Sequence, residues 1–274
     1  MPLQRYAQYP SATTRADSSP KNGGGLTGLA FPGYSDGNTI RFRFTGAALQ
    51  PMFDSTYIWR AYPKAKTNWA SVQGVPGLTA YCTIFFWGND GAFAWGSNNN
   101  LSYYGPEPYP NPNTSDNCQW EIAANSTDIV DGDVIDYDRW YIQALRAYTS
   151  GADKFLEFYW DLPDTTKKVE SGALNPYGTA PPSPALTWGD APWTDQAPNG
   201  GEGREMFYGY LRGIQTYDAN LSLTDIANEI ASPGSVRTPW YLNLNPTPSD
   251  ISDKSGSGHN PAWVGAERPG IWTG

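Results

Sequence analysis

Short stretches of alternating apolar and polar residues recur along this chain, and their spacing predicts strands. In 39–44, Ile40, Phe42 and Phe44 fall on one face while Arg41 and Arg43 fall on the other. That is the period-two pattern of a half-buried strand. The segment 56–60 repeats the cue, and 79–87 and 92–95 are aromatic runs separated by Gly88-Asn89-Asp90-Gly91. Asp-Gly between two such runs favours the positive φ of a tight hairpin turn. Further strand patterns occupy 118–123, 138–146, 154–161, 185–189, 209–217 and 238–245, with Ser150-Gly151 marking the turn between the second and third of these.

One segment carries a helical period instead. Leu223, Ile226, Ala227 and Ile230 share a face, and Pro233-Gly234 stops the run. Ser222 and Asp225, three positions apart, supply an N-cap and a carboxylate for the exposed N–H groups of the first turn, a variant of the capping box.

The stretch Gly209-Tyr-Leu-Arg-Gly-Ile-Gln-Thr-Tyr217-Asp-Ala-Asn-Leu-Ser222-Leu-Thr-Asp225-Ile resembles the closing strand and helix of LamG-like, concanavalin A-like jelly rolls. The runs around Trp140 and around Trp160-Asp161 resemble that family's central hairpin, and Leu186-Thr-Trp-Gly189 resembles a further strand. These matches follow the family's order across residues 26–245. The resemblance implies an all-β sandwich of two antiparallel sheets with one short helix, between an N-terminal arm at 1–25 and a C-terminal tail at 246–274. Asp253-Lys-Ser-Gly256-Ser-Gly258-His259 resembles an element that often begins such domains, yet it stands near the C-terminus. It reads either as part of a late return strand and tail or as a Gly-Ser loop. The phrases Tyr57-Ile-Trp-Arg60, Ile84-Phe-Phe-Trp-Gly88-Asn-Asp90, Asn245-Pro-Thr-Pro-Ser-Asp250 and Asn260-Pro-Ala-Trp263-Val-Gly265 look like jelly-roll structural proteins of tailed bacteriophages.

Composition agrees with a turn-rich sandwich: aromatic residues make up 15% and charged residues 16%, the latter well below the usual share of about 25%. A net charge of −9 leaves no basic footprint for a phosphate backbone, so no nucleic acid is expected as a partner. Apolar runs stay short of a membrane span, so no insertion is expected. Met1–Tyr6 lacks an apolar signal core, which predicts assembly in a host cytoplasm. Cys82 and Cys118 read as buried thiols, with no ligand set at zinc spacing around them.

Catalytic groups are sparse. The sole histidine, His259, lies in a Gly-Ser tail where a free surface position is expected, so no nucleophilic triad can be assembled around it. Glu157, Tyr159 and Asp161 share a strand face, but the two carboxylates stand about 13 Å apart along a strand. Paired glycosidase carboxylates lie about 5–9.5 Å apart. The Glu-x-Asp-x-x-Glu arrangement of jelly-roll glucanases is missing as well. These observations predict a non-enzyme and leave a divergent polysaccharide-cleaving enzyme as the least favoured reading.

Asp131, Asp133, Asp136 and Asp138 form the densest carboxylate run, a candidate for calcium or simply a solvated acidic turn. No other cofactor is expected. Of twelve tryptophans, Trp87, Trp140 and Trp160 sit in strand patterns and are assigned to the core. Trp95, Tyr103, Tyr104, Trp188 and Trp193 lie near turns and are candidates for stacking on a saccharide. Trp263, Ile271 and Trp272, in proline-flanked tail segments, are candidate anchors of an assembly arm reaching into a neighbouring subunit. The combined reading is a virion structural protein of a tailed phage, a head decoration or tail-associated component, partnered by other virion proteins and by copies of itself. The alternative is a carbohydrate-binding adhesion module.

Overall fold

A computed structural model describes residues 27–32, 40–64, 83–89, 101–104, 120–124, 127–130, 136, 138–174, 183–190, 207–265 and 268–273. Strands β1 (Thr27–Pro32), β2 (Arg41–Phe44), β3 (Ser55–Pro63), β4 (Thr83–Asn89), β5 (Leu101–Tyr104), β6 (Glu121–Ala124) and β7 (Thr127–Val130) come first. They are followed by β8 (Tyr141–Ser150), β9 (Asp153–Tyr159), β10 (Lys168–Glu170), β11 (Pro184–Trp188) and β12 (Tyr208–Tyr217). After the helix Leu223–Ala231 come β13 (Tyr241–Asn243), β14 (Ala262–Val264) and β15 (Gly270–Thr273). Among the described residues one sheet has the order β10-β9-β8-β3-β12-β1-β15 with β13 beside β12, and the second has the order β14-β2-β11-β4-β5-β6-β7. Neighbouring strands pair antiparallel throughout. This is the concanavalin A-like jelly-roll sandwich implied by the sequence.

Alternation along the strands builds the core as expected. Ile40, Phe42 and Phe44 turn inward with Tyr57, Trp59, Leu145, Phe158, Leu186 and Leu211. The interior is dominated by rings: Trp59 meets Trp188 edge-on across the two sheets at 5.4 Å and stacks on Phe158 at 6.0 Å. Such pairs stabilise beyond their buried area. Trp188 was expected near the surface as a saccharide contact. It is instead 0% exposed at the centre of this cluster, between Phe42, Trp59 and Phe85, because its alternation places it with Leu186 on the inner face. Trp87 and Trp160 are core residues as assigned, whereas Trp140 is half-buried on the outer face of the first sheet.

Several boundaries differ from the sequence reading. β1 was not foreseen; its run Thr-Gly-Leu-Ala-Phe-Pro offers a single clear alternation, Leu29 with Phe31. β4 runs through Gly88 and Asn89 and pairs with β11 and β5, while Asp90-Gly91 of the expected turn and 92–95 lie outside the described residues. The Ser150-Gly151 hairpin forms as read, with Gly151 at φ 64° joining β8 to β9. In β12 the register against β3 shifts between Arg212 and Gln215. Gly213 takes φ 63° there, and a Cβ on it would lie 2.5 Å from the Arg60 guanidinium, so this bulge needs glycine.

The helix is capped as its sequence implies: the Ser222 hydroxyl accepts from the Asp225 N–H at 3.1 Å and Asp225 accepts from the Ser222 N–H at 3.3 Å. Its apolar face packs, with Ile226 buried, on Ile58, Ala144, Tyr159 and Tyr217 of the first sheet. Glu229, on this helix, is fully buried and accepts from Tyr217 Oη at 2.7 Å and from the N–H groups of Val236 and Arg237 at 2.7 and 2.9 Å, with Gly234 N–H as a further donor. Burial and this hydrogen bond to the Glu229 carboxylate push the Tyr217 hydroxyl pKa upward.

Two further strands lie beyond residue 245 and join the sheets. β14 pairs with β2 at the edge of the second sheet and β15 pairs with β1 at the edge of the first. The segments 262–264 and 270–273 therefore each add an edge strand, one to each sheet of the sandwich. Of the three residues proposed as assembly-arm anchors, Trp263 and Trp272 have packing partners within the same chain, while Ile271 is 59% exposed.

Candidate functional site

Beyond β13 the chain makes a polar loop, and its fixed shape comes from two aspartates. Asp253 accepts from the N–H groups of Leu242 (3.0 Å), Ser255 (2.9 Å) and His259 (3.2 Å) and from the Ser255 hydroxyl (2.8 Å). Burial would raise its pKa, but these donors together hold it below the usual carboxylate value. Asp250 accepts from Ser252 N–H (3.1 Å), Ser252 Oγ (2.6 Å) and Lys254 Nζ (2.7 Å), and the lysine and serine contacts lower its pKa to about 2. β13 ties the loop down from below: Tyr241 Oη donates to Ile251 O at 3.0 Å and Asn243 Nδ2 donates to the carbonyls of Asp250 and Ser252. Asp253-Lys-Ser-Gly-Ser-Gly-His is thus a hydrogen-bonded loop, the second of the two alternatives read from the sequence.

His259 is not the free surface residue expected. Its ring stacks on Trp240 with centroids 3.8 Å apart and 7° between planes, and Nδ1 donates to Trp240 O at 2.6 Å. The residue holds the return of the chain toward β14.

This loop and β14 enclose an open cleft of about 500 Å³ at the edge of the sandwich, with Ser249, Asp250, Ser252, Asn260, Trp263 and Arg268 on its walls. Trp263 packs edge-on against Phe42 at 5.7 Å and donates from Nε1 to Pro248 O at 3.1 Å. It remains half-buried, and the exposed Arg268 guanidinium lies over its ring at 5.2 Å. Asn260 Oδ1 accepts from Asp253 N–H at 2.8 Å, which fixes the orientation of its amide. One aromatic ring, hydroxyls, an amide and both signs of charge therefore line one open cleft beside a hydrogen-bonded loop.

A second aromatic group gathers around Trp272 of β15. Trp272, Trp140, Tyr62 and Tyr210 form a closed circuit on the outer face of the first sheet, with successive centroids 4.9, 5.4, 5.3 and 6.0 Å apart. The buried Arg212 guanidinium lies 4.0 Å from the Trp140 ring centre and 4.5 Å from that of Trp272. Trp272 lies opposite Gly28 on β1, where an added Cβ would press on the Leu211 carbonyl at 2.9 Å. These rings are spent on one another and on Arg212, and the cluster acts as a clasp for β15.

The remaining candidates are distributed as follows. Trp95, Trp193, Cys82, Cys118, Asp131 and Asp133 lie outside the described residues, while Tyr103 and Tyr104 sit on β5. Asp136 pairs with Arg139 at 3.4 Å, and Asp138 is exposed in the turn before β8. Among the described residues no group of three or more potential metal ligands occurs. Glu157 forms an ion pair with Arg146 and accepts from Tyr148 and Tyr159, while Asp161 takes a bidentate contact from Arg139 at 3.0 and 2.8 Å. The two carboxylates thus belong to separate ion pairs. Sequence reasoning missed Asp250, Asn260 and Arg268 as cleft residues, although two of the phrases singled out, Asn245–Asp250 and Asn260–Gly265, supply most of the walls.

No family model matches this sequence, and no curated protein matches it. Among solved structures the chain is similar to a native heptameric SAP-like pentraxin from Limulus polyphemus, at 16% identity and a TM-score of 0.46, over 91% of this chain and 94% of that one. It is similar to a putative carbohydrate binding protein from Bacteroides ovatus at 13% identity and a TM-score of 0.51, covering 90% of this chain and 60% of that protein's length. The LG1-3 region of the laminin alpha2 chain is similar at 12% identity and a TM-score of 0.40, over 91% of this chain and 34% of that one. The likeness to the Bacteroides ovatus protein, at 13% identity, shows a shared fold and leaves the site to be judged on its own chemistry.

Proposed function

We propose that the protein is a non-enzymatic saccharide-binding module that takes its ligand in the cleft at Trp263. The observation carrying this reading is the half-exposed Trp263 ring among Ser249, Asp250, Ser252 and Asn260, on a loop locked in place by Asp250 and Asp253. An indole face complements the C–H face of a pyranose ring, and fixed hydroxyl, amide and carboxylate groups read its hydroxyls. A volume of about 500 Å³ accommodates one or two sugar residues. The engagement of Glu157 and Asp161 in separate ion pairs with Arg146 and Arg139 supports binding without cleavage.

The test is a saccharide array probed with wild-type protein and with Trp263→Ala. Wild-type protein binds a subset of glycans at micromolar to millimolar concentration, and the variant, folded by circular dichroism, loses that binding. An array with no wild-type signal overturns the reading.

At a finer level, the phage-like phrases in the sequence support a virion as the setting in which this module works, presented in several copies. Recovery of the protein in purified particles, by mass spectrometry, tests that setting separately.

A further inference from the structure

Resting on that reading, we infer that the saccharide bound at Trp263 is anionic, carrying a carboxylate or sulfate, and that Arg268 selects it. The two charged groups among the described cleft walls are Asp250 and Arg268. Asp250 is already satisfied: Lys254 Nζ lies within 3.0 Å of one carboxylate oxygen and 2.7 Å of the other, and Ser252 supplies an N–H and a hydroxyl. The lysine compensates its charge inside the loop.

Arg268 differs. It is exposed on the short connection between β14 and β15, and its guanidinium rests over the face of Trp263 that a sugar ring would occupy. A ligand that stacks on this face must displace the guanidinium and forfeit its attraction to the ring. A neutral sugar returns nothing for that loss. An acidic sugar returns a charge-assisted, bidentate contact as the guanidinium swings from the indole to the ligand's own anionic group, while the sugar's C–H face takes its place on the ring. Selectivity then arises from one exchange of partners. The overall charge of −9 opposes anions at long range, so the preference has to come from this local cation.

The experiment compares tetragalacturonate, its fully methyl-esterified form and maltotetraose by isothermal titration at 50 and 300 mM NaCl, with wild-type protein, Arg268→Gln and Trp263→Ala. We expect the acid to bind roughly five- to tenfold tighter than its ester at low salt, with the gap narrowing at high salt. Arg268→Gln brings acid and ester to the same affinity without abolishing binding, and Trp263→Ala weakens all. Equal affinity of acid and ester for wild-type protein, or a preference that persists in Arg268→Gln, overturns the anionic selectivity and leaves saccharide binding standing. Binding that survives Trp263→Ala, or no binding of any of the three, overturns the choice of site and this inference with it.

Discussion

Trp272→Ala separates a strap closed on its own sandwich from an arm extended to a neighbour. Within one chain, Trp272 contacts Trp140 at 4.9 Å, Tyr210 at 6.0 Å and the Arg212 guanidinium at 4.5 Å. Each aromatic pair contributes about 0.5–1.5 kcal/mol beyond area burial. A cation–π contact to a desolvated guanidinium adds about 1–2 kcal/mol. The ring is only half-buried, so the loss falls below the roughly 3–5 kcal/mol of a core tryptophan, at about 2–3 kcal/mol. For a chain of this length that lowers the melting temperature by about 5–10 °C. Trp272→Phe keeps one ring and recovers part of the loss. Thermal melts by circular dichroism measure the shift, and light scattering on the same samples reports particle mass. An unchanged melting temperature together with a fall in oligomer mass would refute the clasp and restore the arm.

Other consequences follow from the same geometry. Glu229→Ala leaves Val236, Arg237 and Gly234 N–H groups and the Tyr217 hydroxyl without their shared acceptor, and we expect a loss of about 3 kcal/mol in urea unfolding. Trp188→Ala opens the centre of the core and costs about 3–5 kcal/mol, whereas Trp263→Ala, at a half-buried ring, costs less and removes binding. Asp250 has its carboxyl pKa lowered to about 2, so its contribution is complete above its ordinary value of 3.8 and is lost as pH falls through about 2. Because the ion pair is exposed, that contribution stays below about 1 kcal/mol. Carbon-13 titration of the Asp250 carboxyl measures the midpoint, and Lys254→Met moves it back toward 3.8; an unmoved midpoint would contradict the role of the lysine.

Local rules made much of the sandwich legible. The alternation at 40–44, the Ser150-Gly151 turn and the Ser222/Asp225 cap each act within a few residues, and each appears as read. What failed required knowledge of contacts distant in sequence. Nothing near Trp272 announces that it will pair opposite Gly28 and beside Arg212, and nothing near Trp188 marks it as the residue meeting Trp59 across the core. The Pro-Gly and Gly-Ser content of the tail suggested an extended arm. Its dense aspartate and serine hydrogen bonds instead fold it, and their spacing at Asp250-x-Ser252 and Asp253-x-Ser255 was the available signal.

The decisive measurement is a saccharide titration monitored at the tryptophan indole N–H resonances of nitrogen-15-labelled protein. With an array-identified ligand, the Trp263 resonance, whose N–H donates to Pro248 O, should shift progressively to saturation while those of the core residues Trp59 and Trp188 stay in place. Saturable shifts confined to other tryptophans, with Trp263 unmoved, would contradict binding at this cleft.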